Sequence, residues 1–157
     1  MLKAVQKSRK QKVGGHFAII ASKYNAKYVD SMLRAARKIL AEAGAETVRV
    51  VRVPGAYEVP VVAAQLARKQ EPAYAAIVCL GVILRGETEH AQLIGEAVTT
   101  ALMQIQVQHG VPVIHEVLLL ENAQQAEARC LSPEHNRGAE AANTALEMAQ
   151  VMKEVES

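Results

Sequence analysis

The strongest constraint on the fold is an alternation along the chain. Short, largely apolar runs, the first of them (beyond its leading histidine) and the third apolar throughout, are separated by longer stretches whose apolar residues recur every three to four positions. The runs are His16-Phe17-Ala18-Ile19-Ile20-Ala21, Thr47 to Val53, Ala75 to Leu80 and Val113 to Leu119. A strand apolar on both faces cannot keep one face wet, so such runs suit the middle of a parallel sheet. Arg49 and Arg52 interrupt the second run, which places it at an edge. Strand and helix alternate four times, with one extra short helix before the end. That pattern predicts a parallel sheet with right-handed crossovers. The expected architecture is an α/β, flavodoxin-like three-layer sandwich. It has four strands in the order 2-1-3-4 and helices on both faces.

The intervening stretches read as helices. Val29, Leu33, Ala36, Leu40 and Ala43 make one apolar stripe, stopped by Gly44. A second helix runs from Pro60, tolerated in a first turn, to about Lys69. A long one from about Thr88 to His109 buries Leu93, Ile94, Ala97, Val98, Ala101, Leu102 and Ile105, and Gly110 and Pro112 end it. Asn122 with Gln125 resembles a capping pair opening a short helix. The last helix, from about Gly138 to Lys153, packs on Ala141, Ala145, Leu146, Ala149 and Met152.

Composition narrows the class. A chain of 157 residues, half of them apolar, suits one domain with a real core. A net charge of +2 does not by itself suggest nucleic acid. The longest apolar run, Ala75 to Leu84, is well short of the ~20 residues a membrane-spanning helix needs. No secretion leader with a hydrophobic centre is expected, and two isolated cysteines, Cys79 and Cys130, make neither a disulfide framework nor a metal site. A reducing cytoplasm is the simplest setting, without membrane or nucleic-acid partner. Residues 1–12 carry Lys3, Lys7, Arg9, Lys10 and Lys12 and no acid. They read either as a solvated terminus or as an arm ordering against a neighbouring subunit. The division expected is an arm over 1–15 and a single domain over 16–157.

Ligands of α/β proteins bind where parallel strands end. Polar insertions follow the apolar runs at Ser22-Lys23-Tyr24-Asn25, Pro54-Gly55-Ala56-Tyr57-Glu58, Arg85-Gly86-Glu87-Thr88-Glu89-His90 and around His115. All four are expected to line one rim. A helix starting near Thr88, behind a glycine without a blocking side chain, can hold an anion. Equally, Gly86 can be a plain turn and Thr88 a plain N-cap, and Glu87 and Glu89 oppose an anion. His90 is the proton-transfer candidate, or else a surface histidine. Tyr24 and Tyr57 can stack on a flat heterocycle or pack locally, and Glu58 can accept hydrogen bonds from a polyol. Arg129 and Arg137 can grip phosphate or simply be solvated helix-end arginines. No phosphate-binding glycine loop and no nucleophile elbow occurs, so chemistry would rest on positioning and proton transfer.

These motifs carry a resemblance covering about residues 16–152. Pro54-Gly55-Ala56-Tyr57-Glu58-Val59-Pro60 resembles the Pro-Gly-small-aromatic-Glu-aliphatic-Pro segment of the 6,7-dimethyl-8-ribityllumazine synthase family. Gly81 to His90 resembles its segment ending Arg-Gly-x-Thr-x-His. Glu121-Asn122 through Gln125-Ala126 to Arg129, and Asn136-Arg137-Gly138 through Glu147-Met148, resemble the two later motifs.

The resemblance implies a cofactor-free enzyme of riboflavin biosynthesis. It would join 5-amino-6-ribitylamino-2,4-pyrimidinedione to 3,4-dihydroxy-2-butanone 4-phosphate: an imine forms, phosphate leaves, and the ring closes with loss of water. It implies that Tyr24 stacks on the pyrimidine, with Asn25 beside it. Ala56, Tyr57 and Glu58 would bind the ribityl chain, and Val82, Ile83 and Leu84 would contact the ring through backbone. Gly86, Glu87 and Thr88 would form the phosphate turn, His90 would be the acid/base, and Arg129 would grip phosphate from an adjacent subunit. Arg137 and His115 complete the substrate-binding set. No metal is implied. The implied assembly is a pentamer or a sixty-subunit shell, with riboflavin synthase as a further partner. Three departures stand out: His115-Glu116 replaces Phe-Gly, Leu118–Leu120 replaces a Thr-Thr pair, and Leu131–His135 lacks the family's loop pattern. They motivate an alternative, a non-catalytic flavin or lumazine binder or a shell protein on the same scaffold.

Overall fold

The computed structural model describes residues 2–5 and 13–157. Four strands, β1 (His16–Ser22), β2 (Thr47–Val53), β3 (Tyr74–Leu84) and β4 (Val113–Leu120), pair in parallel in the order β2-β1-β3-β4. The helices are α1 (Ala26–Glu42), α2 (Val59–Ala67), α3 (His90–His109), α4 (Ala123–Cys130) and α5 (Arg137–Glu156), and a 3-10 turn, Ala56–Glu58, leads into α2. The expected α/β architecture and strand order are therefore present.

Two apolar layers sandwich the sheet. On one face Phe17, Ile19, Val78 and Leu80 meet Met32, Leu33 and Leu40 of α1, Ala126 of α4 and Ala141, Ala142 and Ala145 of α5. On the other, Ala18, Ile20, Ile77 and Cys79 meet Val59, Ala63 and Leu66 of α2 and Val98, Leu102 and Ile105 of α3. The central strands are apolar throughout because successive side chains serve opposite layers. β2 lies at an edge, as its arginines imply. Arg52 folds back: its Nε donates to Ala21 O (3.1 Å), its Nη2 to Ser22 O (3.0 Å), and it pairs with Asp30 (2.8 Å).

Boundaries moved where side chains found tertiary partners. β3 runs on to Leu84, four residues beyond the expected end, because Val82, Ile83 and Leu84 pair with Leu118, Leu119 and Leu120. α1 starts at Ala26, earlier than its apolar stripe suggests, behind Asn25 in the left-handed region (φ 59°). α3 starts at His90 rather than Thr88, and its N-cap residue Glu89 makes no side-chain capping bond. Asn122 does cap α4, accepting from Gln125 N (2.9 Å), while Gln125 Oε1 accepts from Glu121 N (2.9 Å).

Val5 N donates to Glu134 O (2.9 Å), so residues 2–5 run beside the α4–α5 loop of the same chain. Lys7, Arg9, Lys10 and Lys12, on which the basic-arm expectation rests, lie outside the described residues. Among the described residues no helix is long and apolar enough to cross a membrane.

Candidate active site

All four strands point the same way, so the loops leaving them share one rim. Hydrogen bonds stitch the exits of three strands together, two through backbone and one through a side chain. Lys23 N donates to Val53 O (2.8 Å) and Tyr24 N to Pro54 O (3.1 Å), joining the β1 exit to the β2 exit. Asn25 spends its side chain on the β3 end, its Nδ2 donating to Val82 O (2.7 Å). Tyr24 and Tyr57 stand out from this rim, 73% and 66% exposed, although each is a large aromatic. Ala56 is buried in the α2/α3 layer, so only its backbone is available to a ligand. One carboxylate oxygen of Glu58 accepts from Gly55 N (2.9 Å), which leaves the other free.

The segment Arg85–Glu89 crosses from β3 to α3 without regular structure. Thr88 is not the helix cap expected of it; its Oγ1 takes only a long bond from His90 N (3.4 Å). The first amides of α3 therefore lack a side-chain cap and stay open to an external acceptor. Gly86 is exposed, and a Cβ added there meets no atom of the chain within 4 Å. Its φ is not among the positive values. Neither sterics nor backbone strain inside the chain asks for glycine at this point. His90 is exposed on the first turn of α3.

His115 departs from expectation. It lies inside β4, opposite Cys79, and not in a rim loop. Five residues separate it from the strand's end at Leu120, roughly 17 Å. Its ring faces α3, in an open cleft of about 520 Å³ lined also by Gln92, Glu96, Thr99 and Leu119. Nδ1 accepts from Val117 N (3.1 Å), so the ring proton sits on Nε2, which donates to Thr99 Oγ1 (2.8 Å). Burial lowers its pKa from 6.5. The ring is thus held neutral, with both nitrogens engaged.

The other strand face carries Glu116, also half-buried. Burial, then the nearby Glu140 carboxylate, push its pKa up to about 7 against the pull of Arg137. Arg137, the first residue of α5, pairs with Glu140. Arg129 lies in the last turn of α4, half-buried and without a hydrogen bond or ion pair among the described residues. α4 and α5 pack with α1, whereas His90 begins a helix of the opposite layer. Within one chain, then, Tyr24, Asn25, Tyr57, Glu58, Val82–Leu84 and Gly86–His90 gather at the rim. His115, Arg129 and Arg137 do not join them there. Among the described residues no group of three or more His, Cys, Asp or Glu side chains could hold a metal.

Sequence reasoning missed two anchors. In the sequence Arg85 is only one member of a motif, yet its guanidinium ties the end of β3 to α3 and to the exit of β4. Asn136, buried, accepts from Gly138 N (2.8 Å) and Ala139 N (3.2 Å) and donates to Cys130 O (2.9 Å). An Asn ahead of a helical stretch was the available signal for the second; the first had none.

Comparison with known proteins identifies the family. The family model of 6,7-dimethyl-8-ribityllumazine synthase matches residues 14–153. The 6,7-dimethyl-8-ribityllumazine synthase of Stenotrophomonas maltophilia (strain R551-3) is 43% identical over 141 residues, covering 88% of this chain and 90% of that protein. That of Xanthomonas oryzae pv. oryzae (strain PXO99A) is 41% identical over 139 residues, covering 87% and 89%. The chain belongs to the 6,7-dimethyl-8-ribityllumazine synthase family.

Proposed function

We propose that this chain is a lumazine synthase, a transferase of riboflavin biosynthesis. It condenses 5-amino-6-ribitylamino-2,4-pyrimidinedione with 3,4-dihydroxy-2-butanone 4-phosphate and releases phosphate. The observation that carries this reading is the stitching of three motif-bearing loops into one rim, in a chain of this family. Tyr24 stacks on the pyrimidine, with Asn25 bracing its loop. Ala56 backbone, Tyr57 and Glu58 receive the ribityl chain, and Val82–Leu84 meet the ring along the strand end. Gly86, Glu87 and Thr88 surround the phosphate, and His90 moves the protons. Holding two reactants in register supplies several kcal/mol, up to ~7–11. General acid/base help adds ~10²–10⁴-fold. No cofactor takes part.

The site is completed by a second copy. Among the described residues Arg129 makes no hydrogen bond or ion pair, and it belongs to the layer opposite α3, which supports its serving a neighbour's phosphate. His115 and Arg137, which do not join the rim of their own chain, contact substrate in the same way only from a second copy, His115 from the α3 side of β4 and Arg137 from α5. The protein works as a homo-oligomer, a pentamer or a sixty-subunit shell, in the cytoplasm, with riboflavin synthase taking its product.

The test is lumazine fluorescence from purified protein with both substrates, with inorganic phosphate as competitor. His90→Ala is expected to slow turnover ~10²-fold or more, and Arg129→Ala chiefly to raise KM for the phosphorylated ketone. Dissociated and reassembled together, the two variants are expected to recover activity that neither has alone. No recovery would place both groups in one chain's site, and no lumazine from the wild type would end the catalytic reading.

A further inference from the structure

Arg85 sits where β3 ends, and its guanidinium reaches two other elements. Nε donates to Glu121 Oε1 (3.0 Å), at the exit of β4, and Nη2 donates to Gln92 Oε1 (2.8 Å), in the first turn of α3. Its own backbone N donates to Leu120 O (2.8 Å). The side chain is only 34% exposed. Gln92 passes the contact on, with Nε2 donating to Glu96 Oε1 (2.7 Å).

Gln92 is the third residue of α3, the position from which a Gln side chain ordinarily returns to cap its own helix start. Here it is spent on Arg85 instead. The N-cap residue of α3 makes no side-chain capping bond, so among the described residues the guanidinium fork is the side-chain hydrogen-bond link from the first turn of α3 to the sheet end. Residues two apart on a helix point ~200° away from each other. With Gln92 turned to Arg85 and β4, His90 is turned to the other side, outward from the strand end.

We infer that Arg85 is a positioning residue of the reaction. It clamps Gln92 and Glu121 so that the Gly86–Thr88 turn and the His90 imidazole stand at fixed places over the rim. This rests on the catalytic reading above. Arg85 touches no reacting atom. It acts through α3, and a misplacement of about 1 Å at a reacting group can cost ~10²-fold.

The experiment compares Arg85→Met, Gln92→Met, the double variant and Glu121→Gln with wild type. Lumazine formation is followed at saturating substrates across a pH series, with denaturant midpoints alongside. Arg85→Met and Gln92→Met are each expected to lower kcat about tenfold or more, with KM for both substrates nearly unchanged. The double variant is expected to be no slower than Arg85→Met, since both break one contact. Glu121→Gln keeps an acceptor oxygen and is expected to retain kcat. Wild-type kcat in Arg85→Met, additive losses in the double variant, or a fall in midpoint without a fall in kcat each overturn the role. Gln92→Met, at the helix surface, answers the question even if Arg85→Met folds poorly. An inactive wild type sinks the catalytic reading and this role with it. An active wild type with unaffected variants sinks this role alone.

Discussion

Glu116 and Gly86 show what single residues decide. The Glu116 carboxyl faces α5, where burial and Glu140 outweigh Arg137 and hold its pKa near 7, above the ordinary 4.5. Between those values the folded chain binds more protons than the unfolded one, so stability falls as pH rises through that window. The full loss is about 3 kcal/mol. His115 works in the opposite sense: its pKa is lowered, so its contribution grows as pH rises toward 6.5. Denaturant midpoints measured from pH 4.5 to 8 are expected to fall toward neutrality in the wild type. In Glu116→Gln the fall should vanish and leave only the rise set by His115. A wild-type profile identical to that of the variant would refute the assignment. Gly86 meets nothing inside its own chain. Gly86→Ala is therefore expected to leave the denaturant midpoint unchanged and to raise KM for the phosphorylated ketone about tenfold, because the added methyl obstructs only what arrives from outside. A destabilised variant with native KM would contradict that.

α1 and α5 meet backbone to backbone. A Cβ on Gly138 would overlap the carbonyl group of Met32. Backbone cannot step aside as a side chain can, so Gly138→Ala is expected to cost at least ~3 kcal/mol in denaturant unfolding; a cost under ~1 would show that the helices separate freely. The free edge of β4 is handled differently. Its even-numbered carbonyls, Pro112 O and Leu120 O among them, face β3, so its odd-numbered amides face outward. Three of those amides are already taken: Val113 N by Gln106 Oε1 (2.9 Å), Val117 N by His115 Nδ1 and Glu121 N by Gln125 Oε1. Side chains at four-residue intervals blunt an edge that would otherwise invite another strand. His115 thus closes its own strand as well as binding Thr99.

Across the whole molecule the outstanding exposed surface is a stripe on α3. Leu93, Met103 and Val107 lie 61%, 58% and 74% exposed, within about 80° of one another around the helix. Val61 on the adjoining α2 is exposed as well. A row of large apolar side chains is costly to leave in water, which suits it to burial between copies in the proposed homo-oligomer. Met103→Glu with Val107→Glu is expected to shift the intact mass toward monomer and, with it, to abolish activity, because Arg129 then reaches no partner. A double variant of unchanged mass would remove α3 from the interface.

The sequence by itself determined the layers and the rim. Runs apolar on both faces must be central parallel strands, periodic stripes must be helices covering them, and parallel strands must deliver their exit loops to one side. Arg49 and Arg52 announced an edge, and the loop motifs carried the family. Only the tertiary structure decided what those residues spend their polar atoms on. Asn25 gives its amide to Val82, 57 residues on, Thr88 gives up the cap, and Gln92 turns to Arg85; each depends on which strand and helix ends the fold sets side by side, which local spacing does not encode. The same holds for His115: its parity in β4 commits it to the α3 layer, and its place five residues before the strand's end removes it from the rim.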